Sequence, residues 1–162
     1  MTAPAAPESR PLLALLLALA LGLLWAPPAA ADKPGRLASA GGIAVGGYDP
    51  VAYFRDGTAR PGDPAIALRW RGVRWHFATP AHRAEFEADP KAYAPILGGH
   101  CAASMADGRP REGDPRHWTI LEGRLVLTAE AADLARLLAE PQAILHSARQ
   151  HWNATRNRAN SD

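Results

Sequence analysis

The chain is poor in sulfur and in lysine. One cysteine, Cys101, and two methionines stand among 162 residues, so no disulfide can form within the chain. Cys101 is left as a free thiol, a metal ligand, half of an intermolecular bridge, or a buried and inert residue. Lys33 and Lys91 are the lysines; the other basic residues are arginines scattered among acids, and the formal net charge is only +2. No basic stripe marks a nucleic-acid surface. Nucleotide fingerprints, phosphate loops and Ser-His-Asp or Cys-His-Asn arrangements are missing as well, which argues for a non-enzymatic protein.

Long apolar runs are also scarce. The one that stands out, Leu12 to Trp25, follows Arg10 and gives way to small residues ending at Ala29-Ala30-Ala31. It falls short of the ~20 residues that span a bilayer, and Pro27 and Pro28 stop a helix from continuing. This is the pattern of a secretory signal peptide over residues 1–31, cleaved after Ala31. Cysteine is absent from the cleavage point and no Arg-Arg pair precedes the run, so a soluble mature protein is expected, periplasmic or secreted, with no transmembrane span. Residues 32–40 read as a flexible leader. The remainder suits a single domain, which at this size buries roughly two-thirds of its unfolded surface without staples.

Alternation predicts two hairpins. Ile66-Ala67-Leu68-Arg69-Trp70 and Val73-Arg74-Trp75-His76-Phe77 flank Arg71-Gly72, and 117–121 and 124–127 flank Glu122-Gly123. Thr79-Pro80 caps a helix through Ala88 that Asp89-Pro90 stops. Thr128 is expected to cap a helix with Leu134, Leu137 and Leu138 on one face, and Pro141 to open another with Ile144, Leu145 and Ala148 inside. Residues 153–162 read as a polar, frayed tail. No repeat stands out, and the two Gly-Asp-Pro triplets at Gly62 and Gly113 read as coincidental turns. The expected fold is α+β: small antiparallel hairpins packed with a short helix, followed by C-terminal helices over 128–152. Aromatics from Tyr48 to Tyr93 supply its core and could line a ligand pocket, with Trp118 and Trp152 sealing the last helices.

An ordered series of motifs carries more. Gly47-Tyr48-Asp49-Pro50-Val51-Ala52-Tyr53-Phe54 is followed by Trp75-His76-Phe77-Ala78, then by Phe86-Glu87-Ala88-Asp89-Pro90-Lys91-Ala92-Tyr93, then by Gly98-Gly99-His100-Cys101-Ala102. The series resembles the exported YHS-domain proteins of bacteria, motif by motif over 41–127 and more loosely to Trp152. The resemblance implies a hairpin-plus-helix unit related to cysteine-rich metal-binding modules. Where those relatives carry three cysteines, this chain has Ala52, Ala78 and His82, and alanine offers no donor atom.

The site implied is therefore centred on Cys101. A soft ion, copper or zinc, would take Cys101 as thiolate anchor, His100 and Met105 as local partners and His82 from the helix. Taken alone, His82 reads as a solvated helix residue, Met105 as a gap filler and Cys101 as a small buried residue. The alternatives are a structural or envelope-protein interaction domain that has lost its ligands, and a periplasmic single-thiol redox protein whose partner is another molecule. Asp49-Pro50 reads as a turn and cap.

Overall fold

The chain divides into two units, Met1–Ala31 and Asp32–Asp162. The computed structural model describes residues 37–159 and Ser161, all in the second; the expected signal peptide and most of the expected leader lie outside the described residues. The fold is α+β. Strands β1 (Ser39–Ala40) and β2 (Ile43–Ala44) lead to helix α1 (Ala52–Arg55), then to the hairpin β3 (Asp63–Trp70) and β4 (Val73–Phe77). Helices α2 (Pro80–Ala88) and α3 (Pro90–Tyr93) follow, then α4 (Ala102–Ala106), the hairpin β5 (Asp114–Leu121) and β6 (Arg124–Thr128), and helices α5 (Ala131–Ala139) and α6 (Pro141–Ala159). One sheet has the order β1-β2-β4-β3, with β2 parallel to β4; the other is the β5-β6 hairpin. Among the described residues no helix is long and apolar enough to cross a membrane.

Both expected hairpins form, with Arg71-Gly72 (φ 52° and 85°) and Glu122-Gly123 (φ 53° and 69°) at their tips. Positive φ at both central residues gives the turn twist that matches paired strands. Thr79 caps α2 as expected, its hydroxyl accepting from the His82 amide at 3.1 Å. Asp89 ends that helix and caps the short α3 through the Lys91 and Ala92 amides.

Three expectations fail. Glu130, not Thr128, stands at the N-cap of α5; the Thr128 hydroxyl instead donates to the His117 carbonyl. Leu138 is 53% exposed while Leu137 is fully buried, because successive helical residues point about 100° apart and only one can face the core. The polar stretch after Trp152 is not a tail from its start, since α6 runs on to Ala159.

A fourth correction is architectural. Residues 45–88 and 97–139 repeat one backbone plan. Among the described residues, four non-glycine residues have positive φ, and they form two matched pairs: Val45 (51°) with Leu97 (55°), and Arg71 with Glu122. Val45-Gly46-Gly47 and Leu97-Gly98-Gly99 make the same left-handed turn. Gly62 then donates to the Gly47 carbonyl at 2.9 Å, as Gly113 does to Gly99 at 3.0 Å. Asp49 donates its amide to Arg60 and Cys101 donates to Arg111, both at 2.9 Å. Each hairpin shifts register just after its Gly-Asp-Pro, between Asp63 and Ala67 and between Asp114 and Trp118. The two triplets are matched strand starts.

The core lies in two clusters joined by β6. Leu125 and Leu127 pack with Tyr53, Trp75, Phe77 and Phe86, while Val126 points the other way to Met105, Leu137, Ile144 and Leu145. Alternation along one strand thus serves both faces. Trp118 stacks edge-on against Tyr53, 4.9 Å between centroids, rather than sealing the last helices. Tyr53 also donates to the Pro115 carbonyl, and burial raises its phenol well above the ordinary value. Trp152 does pack on the second cluster, as expected.

The glycines of the triplets are a spatial requirement. A Cβ on Gly62 would stand 2.5 Å from the His76 carbonyl carbon, and one on Gly113 would stand 2.5 Å from the Leu127 Cβ. Gly62→Ala and Gly113→Ala should each lower the unfolding free energy by about 1–3 kcal/mol or more in urea titration. A neutral Gly113→Ala would refute the matched role. Asp107 and Asp114 are held down to about 2, chiefly by hydrogen bonds from Arg136 and Arg116. Their stabilisation is complete above the unfolded carboxylate value near 4 and is lost as pH falls toward 2. Arg136→Gln should therefore flatten the fall of Tm across that window.

Candidate functional site

The residues expected to hold a metal are placed on separate tasks. Cys101 is fully buried at the N-cap of α4: its Sγ accepts from the Ser104 amide at 3.5 Å and its thiol donates to Asp133 Oδ2 at 3.3 Å. Met105 is fully buried in the second core cluster. His100 uses Nδ1 on the Leu97 carbonyl at 2.9 Å, so that nitrogen carries the hydrogen, and its ring lies 5.3 Å from Trp152. His82 is buried rather than solvated and belongs to a different constellation. Among the described residues no group of three or more His, Cys, Asp or Glu side chains is placed to hold a metal ion.

That other constellation is built around Asp49, which has no solvent exposure. Its Oδ1 accepts from the Val51 amide at 2.8 Å, and Oδ2 accepts from the Ala78 amide and from His82 Nδ1, both at 2.7 Å. A buried carboxylate needs this compensation, and three donors from a turn, a strand end and a helix supply it. The Asp-Pro turn was legible in the sequence; the histidine it holds was not. In the second repeat Cys101 stands where Asp49 stands in the first, and Asp133 stands where His82 does. The same junction is tied twice, by a carboxylate and an imidazole in one half and by a thiol and a carboxylate in the other.

A third feature was invisible in the sequence. The inter-repeat connector, the first hairpin tip and α6 enclose a cleft of about 560 Å³. Trp70, Trp152, Pro95, Ile96 and Leu97 supply apolar wall, and Arg71, Lys91, Arg124, Arg149 and Arg156 supply cations; no acidic residue lines it. The Arg71 guanidinium carbon sits 4.6 Å over the Trp70 ring. Arg149 is paired with Glu122 at 2.8 Å. Arg124 Nε is buried with no hydrogen-bond partner. Cations that look scattered along the chain are gathered here because four separate segments bring one or two each. Of the expected pocket aromatics Trp70 takes part, joined by Trp152, whereas Trp75, Phe77 and Phe86 are spent on the core.

The two clamps can be compared by double-mutant cycles read in urea. Asp49→Ala should cost about 3–5 kcal/mol, because it strands an imidazole and two amides. The Asp49/His82 cycle should show coupling of about 1–3 kcal/mol. The Cys101/Asp133 cycle should stay under about 1 kcal/mol, because a thiol is a weak donor. Equal coupling in the two cycles would show that the clamps differ less than their chemistry implies. No protein-family model, curated protein or solved structure matches this chain, so the cleft and the clamps rest on its own residues.

Proposed function

We propose that the chain is an exported, non-enzymatic binding module of the YHS-domain kind, and that its ligand site is the cleft between the first hairpin tip, the inter-repeat connector and α6. The observation that carries this reading is the cleft itself: about 560 Å³, with two tryptophans in its lining. That size lies inside the range of roughly 300–1,000 Å³ in which small molecules are held, and apolar wall shares the lining with five cations. Export rests on the apolar run at Leu12 to Trp25 and the small residues after it. The resemblance in motifs over 41–127 supports the module as a whole.

Metal handling is the second reading, and one observation favours it. Asp49 holds His82 by Nδ1, as carboxylates hold imidazoles that present Nε2 to a metal. Copper or zinc bound there would need further ligands from outside the described residues. A protein partner covering the cleft is the third reading, and it predicts that small molecules leave the tryptophans undisturbed.

A direct test follows indole N–H resonances of the protein from Asp32 onward while naphthalene-2-sulfonate is added. Saturable shifts of the Trp70 and Trp152 signals at one equivalent, with Trp118 unmoved, are expected. Trp152→Ala should weaken binding at least several-fold, since each aromatic contact contributes about 0.5–1.5 kcal/mol beyond its buried area. Shifts spread evenly over all the tryptophans would sink the assignment.

A further inference from the structure

We infer that the cleft selects a small amphipathic anion, a carboxylate, sulfonate or phosphate head on a flat apolar body, with Arg124 as the group that receives the head. The inference rests on the cleft being the ligand site and adds the class of molecule it takes. Of five cations in the lining, only Arg149 has an acidic partner; Arg71, Lys91, Arg124 and Arg156 form no ion pair among the described residues. Four uncompensated positive charges around one concavity, with no acid among its lining residues, repel a cation and attract an anion.

Arg124 separates a general positive field from a specific receptor. Its side chain is half-buried at the start of β6, and its Nε is cut off from water without an acceptor. A buried donor with no partner is rare in folded proteins, and Arg124 Nε, closed off as it stands, meets a ligand oxygen once the side chain turns into the cleft that it lines. A neutral ligand of the same shape answers this need poorly, whereas a charged oxygen answers it with a charge-assisted bond. Arg71 is exposed at the hairpin tip and lies over the Trp70 ring, so its donors stand at the mouth of the cleft. Lys91 and Arg156 are exposed and act at the rim.

The body of the ligand is set by the walls. Trp70 and Trp152 offer ring faces and edges, and Pro95, Ile96 and Leu97 offer aliphatic surface. A fused bicyclic or a short acyl body fits such a lining, and a bare inorganic anion leaves it wet. The occupant is a free molecule in solution rather than a lipid headgroup in a bilayer, because the head site lies beside apolar wall that the body must reach.

The experiment compares three probes of one shape on the protein from Asp32 onward: naphthalene-2-sulfonate, the neutral naphthalene-2-sulfonamide and the cationic 2-naphthylmethylammonium. Calorimetry should rank the sulfonate at least about tenfold above the sulfonamide, the difference expected of one charge-assisted bond, with the ammonium weakest. Raising salt from 50 to 500 mM should narrow that gap without abolishing sulfonamide binding. Arg124→Gln should remove most of the sulfonate's advantage over the sulfonamide, leaving only a salt-sensitive remainder, while the sulfonamide is unchanged. Should that variant fail to fold, Lys91→Gln combined with Arg156→Gln, at two exposed positions, should still reduce the salt-dependent part of sulfonate binding. Equal affinity for the sulfonate and the sulfonamide at the tryptophans overturns the anion inference and leaves the cleft as a ligand site. No binding by any probe removes both, and binding of anionic phosphatidylglycerol vesicles without the free sulfonate overturns the choice of a soluble ligand.

Discussion

A carboxylate with no access to water organises the first half of the molecule. Asp49 is paired by donors from three segments whose apolar residues Val51, Phe77 and Phe86 also share one core cluster: the turn before α1, the end of β4 and the first turn of α2. Desolvating such a group without compensation would cost more than most single contacts return. The geometry of that junction therefore fixes where α2 leaves the hairpin and which of its faces, His82 and Phe86, turns inward. The second half reaches the same geometry by cheaper means. Cys101 caps α4 and touches Asp133 with a thiol, so no full charge has to be buried at the matching point.

The hairpins, the Thr79 cap and the inward face of α6 were legible because each is written in neighbouring residues: alternation around Arg-Gly or Glu-Gly, hydroxyl before proline, apolar residues at Ile144, Leu145 and Ala148. The repeat was not legible because what the two halves share is backbone. Gly47 and Gly99 match, and so do Gly62 and Gly113, but Phe77 is matched by Thr128, Trp75 by Val126 and His82 by Asp133. Side chains diverge where each half packs against different neighbours, whereas glycine stays where a left-handed turn or a strand 2.5 Å from a missing Cβ leaves no alternative. Leu138 and the length of α6 were misread for a related reason, since neither is decided by local sequence alone.

Strain at four residues is part of the same plan. Val45, a β-branched residue, and Leu97 both take a left-handed φ, and Arg71 and Glu122 do so at the hairpin tips. Such conformations cost of order 1–3 kcal/mol each and persist only where the surroundings insist on them. At the tips a return is visible. Arg71 is delivered over the face of Trp70, and Glu122 is delivered to Arg149 and Gln142 of α6. The second tip therefore neutralises one cation beside the cleft and anchors the helix that forms one of its walls.

Duplication of a hairpin-and-helix plan supplies a scaffold but not, by itself, a site, and the cleft lies where the plan is interrupted. Its lining comes from the segment Lys91 to Gly98 that joins the halves and opens the second, from a tip of one hairpin, from the first residue of β6 and from α6, which starts at Pro141 as α3 starts at Pro90 but runs far longer, to Ala159. Leu97 of this lining belongs to the core, whereas Arg71, Lys91, Arg149 and Arg156 are exposed side chains that carry its charge. The clamps are the reverse case. Asp49, His82, Cys101 and Asp133 sit where the two halves superpose in plan, and their chemistry is consumed in holding each half together. Each of these side chains has a hydrogen-bond partner within its own half. The arginines are scattered along the chain, and the fold gathers Arg71, Arg124, Arg149 and Arg156 around one cleft.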